Sequence, residues 1–130
     1  MSYQDEYEAL WEWFDAKTKE YFDASDKEIN SGKKIGFDSV LDIVRRQDVK
    51  QYNRRLLSLK EKYGVASAEE LKMLEGYRAN TDYNEEMDAL CGWLKRKILE
   101  REDFSDIYQH EYREFDQRYG ELKEKYLAKK

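Results

Sequence analysis

The sequence predicts an all-α protein: an antiparallel helical bundle of four long helices and one short helix, folded as a single domain over residues 1–130. Proline is absent and the six glycines are scattered singly, so long helices are uninterrupted and the turns of a β fold are scarce. Apolar residues recur at three- and four-residue spacing through four long segments, as in amphipathic helices. With 130 residues and 40% hydrophobic content, the chain can bury a core.

A near-repeat in the sequence favours the pairing of these helices. Residues 6–17 match residues 86–97 at an offset of 80, and five of the twelve pairs are identical, including one tryptophan. A shorter match at an offset of 63 joins residues 59–63 to residues 122–126, since both read Leu-Lys-Glu-Lys-Tyr. The two matches suggest two related helical hairpins. These hairpin-like halves would be about residues 3–63 and 82–127.

The first predicted helix covers residues 3–24. Its apolar face holds Tyr3, Tyr7, Leu10, Trp11, Phe14, Thr18, Tyr21 and Phe22. The segment 25–36, which contains Gly32 and Gly36, is predicted to be a loop.

The second predicted helix covers residues 37–63. Its core candidates are Phe37, Val40, Leu41, Val44, Leu56, Leu59 and Tyr63. Gly64 directly after this segment is typical of a C-terminal cap. A capping box of Ser67 and Glu70 then opens a short helix over residues 67–79.

The second half of the chain contains the remaining two long helices. Asp82 and Glu85 have the spacing of a capping box for the next helix. The apolar face of that helix holds Tyr83, Met87, Leu90, Cys91, Leu94 and Ile98. The last helix is predicted from about residue 103, with Phe104, Tyr108, Tyr112, Phe115, Tyr119, Leu122 and Tyr126 on one face.

No pattern typical of enzymatic chemistry is present. The only histidine, His110, projects opposite the aromatic face of the last helix, where we expect plain surface. The single cysteine, Cys91, is expected in the core, and it excludes an internal disulfide and a cysteine-rich zinc site. The sequence also lacks a Glu-x-x-His pair, a nucleophile elbow and a glycine-rich phosphate loop. We therefore predict a non-enzymatic protein without catalytic, cofactor-binding or metal-binding residues.

The start and the hydropathy of the chain indicate its location. The first residues lack the basic start and apolar run of a signal peptide, and no apolar stretch approaches eighteen residues. These features predict a cytoplasmic protein with no membrane partner.

Charge is distributed in alternating blocks that sum to a net charge of −5. Residues 1–31 carry nine acids and three bases, and residues 64–90 carry seven acids and two bases. An acidic surface can steer a basic partner to its site. Region 1–28 is the best acidic candidate for partner binding, with 64–90 next. The partner-binding candidates in the first region are Asp5, Glu8, Glu12 and Asp15.

A basic segment at residues 45–55 permits two interpretations. Its candidate ridge consists of Arg45, Arg46, Lys50, Arg54 and Arg55, and such a ridge could neutralise the phosphates of DNA or RNA. The favoured interpretation is that the ridge faces the acidic first helix. Its expected neighbours there are Glu8, Glu12, Asp15 and Glu20.

Trp13 and Trp93 are the remaining candidates for partner binding. Each projects about 100° from the centre of its own apolar face, at 100° per residue. Because exposure of a tryptophan leaves about 200 Å² of apolar area in water, both should be covered. The cover is either the other hairpin or another protein chain.

Together these features predict a small acidic helical protein that binds another macromolecule. We expect an inhibitor or adaptor that covers a functional surface of a larger protein, one version being a nucleic-acid-binding groove that accepts carboxylates in place of phosphates. One alternative is a homo-oligomeric structural or scaffold protein. Another is a nucleic-acid binder that uses segment 45–55.

Overall fold

The computed structural model describes residues 1–30, 40–102 and 110–127, and these residues form α-helices without a β-strand among them. The all-α class predicted from the sequence is therefore confirmed. The five helices are α1 (Tyr3–Asn30), α2 (Val40–Lys62), α3 (Ala68–Ala79), α4 (Thr81–Glu100) and α5 (Glu111–Tyr126).

The core lies where the α1–α2 pair meets the α4–α5 pair. α1 packs most extensively on α2, α4 packs on α5, and α4 also contacts α1 and α2. The short α3 packs against α2 and has a smaller contact with α4. The buried core residues in this region are Ala24, Leu41, Val44, Met87, Leu90, Cys91, Leu94, Ile98, Tyr112 and Phe115.

α1 is longer than predicted. The predicted loop was wrong for residues 25–30, which are helical. The cause is tertiary contact: the Lys27 ammonium donates hydrogen bonds of 2.6–3.1 Å to two carbonyls in the last turn of α4 and one just beyond it. One residue further on, the buried Glu28 carboxylate accepts a hydrogen bond of 2.7 Å from the Tyr112 hydroxyl. These bonds stabilise the last turns of α1 and cap the C-terminus of α4.

The helix caps between α2 and α4 agree with those predicted from the sequence, with one exception. Gly64 has a φ of +68°, and its N–H and that of the next residue donate to carbonyls in the last turn of α2, as in a Schellman motif. Ser67 and Glu70 form the predicted capping box. The box predicted at residues 82–85 is wrong, because α4 begins at Thr81 and residue 82 already lies inside its first turn.

Parts of three predictions lie outside the described residues. These parts are the loop at 31–36, the start of the second helix with Phe37, and the start of the last helix with Phe104 and Tyr108.

A polar layer between α2 and α4 was not predicted. Lys95 on α4 is only 2% exposed, and its ammonium lies 2.8 Å from the carboxylate of the buried Asp48 on α2. Nearby, the Asp88 carboxylate on α4 accepts hydrogen bonds of 2.8 Å from Gln47 and 2.6 Å from Arg54. The middle of α2, which has few apolar residues, therefore packs on α4 through paired polar groups, as burial of such groups requires.

The near-repeat in sequence corresponds to a near-repeat in contacts. Near the start of α1, the Tyr3 ring meets the Tyr63 ring just past the end of α2 edge-on, with centroids 5.6 Å apart. Tyr83 of α4 meets Tyr126 of α5 in the same manner, with centroids 5.8 Å apart. The first members of these pairs differ by 80 in sequence and the second members by 63, which are the two offsets of the sequence matches.

A salt bridge beside each tyrosine contact also recurs. The Lys62 ammonium lies 2.9 Å from the Glu6 carboxylate, and the Lys125 ammonium lies 3.5 Å from the Glu86 carboxylate. Each carboxylate also accepts a hydrogen bond from the tyrosine that follows its lysine, and this bond is the main reason that the pKa of both carboxyl groups is lowered. The matched sequence positions thus make matched contacts.

Candidate functional site

An exposed apolar strip runs along α1. The Trp11, Phe22 and Ile29 side chains are 53%, 58% and 54% exposed. At 100° per residue the three project within about 20° of one another, and at 1.5 Å per residue they span about 27 Å along the helix. They are about 16 Å and 10 Å apart along the axis, so they are spaced apolar anchors on one line of the helix, as in helices that bind a partner through such anchors.

Acidic side chains border this strip. Glu8, Glu12 and Asp26 are exposed, and the Asp15 carboxylate is about half exposed and pairs with Lys19 one turn along at 3.2 Å. Asp5 bonds only with Ser2 at the helix start, within the described residues. We call the strip and these acids the α1 face: Asp5, Glu8, Trp11, Glu12, Asp15, Phe22, Asp26 and Ile29.

The sequence predicted the acids of the α1 face but not its apolar strip. Trp11 and Phe22 were assigned to the core, and Ile29 to a loop. Helical periodicity locates the centre of an apolar face, here near Leu10, yet Trp11 and Phe22 project about 100–120° from Leu10. The signal that could have found them is this angle, together with the replacement of Trp11 by Cys91 in the near-repeat.

Trp13 and Trp93 are partly buried, and each contacts an arginine of the following long helix. The Arg55 guanidinium lies 4.2 Å from the centre of the Trp13 ring, and that of Arg118 lies 5.0 Å from the centre of the Trp93 ring. These are cation–π contacts at positions matched by the two sequence offsets. In the described part of the chain, no ring contact joins the two tryptophans.

The basic segment of α2 contacts α1, though not through the acids we expected. The Arg45 guanidinium donates a hydrogen bond of 2.9 Å to the Thr18 hydroxyl and lies 4.8 Å from the centre of the Phe14 ring. The Arg55 guanidinium packs on the Trp13 ring instead of pairing with an acid of α1. Among the described residues, no ion pair joins the segment to Glu8, Glu12, Asp15 or Glu20.

The other residues of the basic ridge lie in two different places. The Arg54 guanidinium pairs with Asp88 on α4 rather than with α1. Arg46 and Lys50 are exposed and border a small groove with Tyr83 and Tyr119. The five side chains therefore do not form one continuous basic surface.

Two open grooves lie at matched positions beside the tryptophan–arginine contacts. One has a volume of about 520 Å³ and the other about 440 Å³. Their matched lining residues are Glu6, Arg55 and Lys62 in the first, and Glu86, Arg118 and Lys125 in the second. In each groove the glutamate and the lysine are already paired with each other, so these charges are balanced within the chain.

The other candidate groups are placed as follows. Cys91 is buried, as expected, and burial raises the pKa of its thiol to about 12. His110 is exposed at the N-cap of α5 and makes no side-chain capping bond. The described segments contain no group of three or more histidine, cysteine or carboxylate side chains that could hold a metal ion. None of the helices described is long and apolar enough for a membrane span.

No protein-family model, curated protein or solved structure matched this chain. The geometry of the α1 face is therefore the basis for a functional assignment.

Proposed function

We propose that this protein is a non-enzymatic binding protein that covers a basic functional surface of a larger protein, as an inhibitor or adaptor. One observation supports the proposal: the α1 face combines three exposed apolar side chains with a border of carboxylates. Tryptophan is enriched among the residues that dominate binding energy, and a negative border accelerates encounter with a positive surface. A groove that binds nucleic acid is one such surface, since carboxylates can occupy the sites of its phosphates.

The finer architecture is also a proposal. We infer a single-domain, antiparallel bundle of four long helices and one short helix, in which α1–α2 and α4–α5 are related hairpins. The recurrence of the tyrosine, salt-bridge and cation–π contacts at two fixed offsets supports this arrangement. A single buried cysteine suits a reducing compartment, and we place the protein in the cytoplasm.

The alternatives receive less support from the contacts. A nucleic-acid binder would need the basic ridge, yet Arg45, Arg54 and Arg55 are engaged within the chain. A homo-oligomer built on the α1 face would bring its carboxylates against those of a second copy, which is unfavourable. We expect a concentration-independent monomer in light scattering and no DNA or RNA binding at about 50 mM salt.

Affinity capture from the native host, followed by mass spectrometry, tests the proposed function. The variant reverses four charges on the α1 face: Asp5→Lys, Glu8→Lys, Glu12→Lys and Asp15→Lys. The matched control reverses four exposed acids elsewhere: Glu69→Lys, Glu75→Lys, Glu85→Lys and Glu124→Lys. We expect the first variant to lose at least about tenfold in partner recovery while the control retains it. Equal recovery by both, with unchanged circular dichroism, would refute the proposal.

A further inference from the structure

The near-repeat places the exposed Trp11 of α1 on a position that is covered in α4. At the offset of 80, Trp11 corresponds to Cys91 and Thr18 corresponds to Ile98. Trp11 is exposed, whereas both α4 residues are buried in the core with Val44 of α2. This flank is thus covered along α4, whereas on α1 it is open at Trp11 and partly covered at Thr18, whose hydroxyl accepts a hydrogen bond from Arg45 of α2.

The cover on α4 is the helix α2, and its polar contacts define how a helix docks on this flank. Two α4 positions mark the contact: Asp88, which accepts hydrogen bonds from Gln47 and Arg54, and Lys95, which pairs with Asp48. In the two ion pairs, Asp48 with Lys95 and Arg54 with Asp88, the α2 number rises while the α4 number falls, as between helices that run in opposite directions. The α2–α4 contact is therefore an internal template for the open flank of α1.

The charges of α1 specify a modified version of this template. Glu8 corresponds to Asp88 and keeps its negative charge, so it suits a base at the position of Arg54. Asp15 corresponds to Lys95 and reverses its charge, so it suits a base where α2 has Asp48. The complementary helix would carry two bases six residues apart, about 9 Å along its axis.

We propose that the α1 face binds a basic amphipathic helix of another protein, docked antiparallel to α1 as α2 docks on α4. This inference rests on the proposed function and specifies the chemistry of the partner. The apolar side of that helix covers Trp11, and two of its bases pair with Glu8 and Asp15.

The matched helix α5 of a second copy does not meet the requirement. The α5 positions that match Asp48 and Arg54, at the offset of 63, are Glu111 and Gln117, and neither is basic. Glu111 is also buried and paired with Arg101 at 2.5 Å. α3 does carry two bases six residues apart, Lys72 and Arg78, but Arg78 is already paired with Glu61 at 2.6 Å. Charge complementarity therefore favours a different protein as the occupant.

The template supplies its own probe. Two peptides span residues 40–62: one has the natural sequence and the other carries Asp48→Lys. Both are held helical by a staple on the face opposite Asp48, and circular dichroism verifies their helicity. Binding to the full chain is measured by titration calorimetry, and chemical-shift changes locate the contact on α1.

We expect the D48K peptide to bind the natural chain about tenfold more tightly than the unmodified peptide. Asp15→Lys in the protein recreates the Lys95–Asp48 pairing and should reverse this preference. Trp11→Ala in the protein should lower the affinity for the D48K peptide by at least about tenfold, since a central tryptophan dominates such contacts. Glu75→Lys, an exposed charge reversal on α3, serves as the matched control and should leave the preference unchanged.

Three results would overturn the inference: no binding of the helical D48K peptide at about 1 mM, a preference that Asp15→Lys does not reverse, or binding that is insensitive to Trp11→Ala. Either of the last two results would also indicate that the peptide binds α4 in place of α2 rather than the α1 face. The two proposals fail separately. If capture from the host still depends on the acids of the α1 face while the peptide preference does not reverse, the proposed function stands and the helical partner does not.

Discussion

Replacement of Lys95 by methionine should strongly destabilise the protein. Lys95 is 2% exposed, and its ammonium lies 2.8 Å from the Asp48 carboxylate and 3.5 Å from that of Glu20. Methionine retains much of the side-chain volume but leaves Asp48, itself 6% exposed, without its ion-pair partner. Removal of one member of a buried ion pair costs about 3–5 kcal/mol, because the remaining charge stays desolvated. Since domains of this size have about 5–15 kcal/mol of stability, the expected loss is a large fraction of the total.

Urea unfolding followed by circular dichroism measures this loss. With a slope of about 2 kcal/mol per molar urea, the midpoint should fall by about 1.5–2.5 M. The double variant Lys95→Met with Asp48→Leu replaces the ion pair by an apolar pair. It should recover most of the lost stability, since such replacements are often neutral or stabilising. Arg96→Met, at the exposed position next to Lys95, is the matched control and should change stability by less than about 0.5 kcal/mol.

Two results would refute this account of the polar layer. One is a loss below about 1 kcal/mol for Lys95→Met, which would mean that water reaches Asp48 or that another group compensates it. The other is a double variant no more stable than the single one. The lost stability would then come from packing or from Glu20 rather than from the unpaired Asp48 charge.

Three further predictions concern other contacts. Lys27→Met should cost about 1–2 kcal/mol and speed hydrogen exchange in the last turn of α4 relative to its first turn, since three carbonyls lose their cap. Cys91 should react with iodoacetamide at about pH 8 at least roughly a thousandfold more slowly in the native protein than in urea, because it is buried and its pKa is about 12. The pKa of Glu6 and Glu86 is lowered by folding, so their stabilisation is present above the unfolded value of 4.5 and lost as the pH falls through the folded one. Glu6→Gln with Glu86→Gln should therefore flatten the acid dependence of stability measured in urea, and an unchanged profile would contradict this.

Local physical chemistry made much of the fold predictable. The caps at Gly64 and Ser67 depend on a few neighbouring residues, so the sequence contained all the information they needed. The apolar face of α4 was also correct, since periodicity identifies a core-facing side. The end of α1 was not predictable in this way, because Lys27 and Glu28 are held by residues about seventy to eighty positions further along the chain.

The acids and the polar layer also differ in whether the sequence could predict them. The acids of the α1 face could be read directly, because charge is a property of each residue. The polar layer and its buried Lys95 could not, since only the approach of α2 supplies the paired charges that make burial tolerable.

The sequence by itself determined that the chain is helical, that Gly64 and Ser67 form caps, and that two of its segments are near-copies. Only the tertiary structure decided that the two near-copies differ in which flank is covered by another helix. α4 has its flank covered by α2, whereas the matched flank of α1 carries an exposed Trp11. The physical reason is that helical periodicity specifies the direction of an apolar face, while the neighbours that cover its flanks are set by how the helices pack.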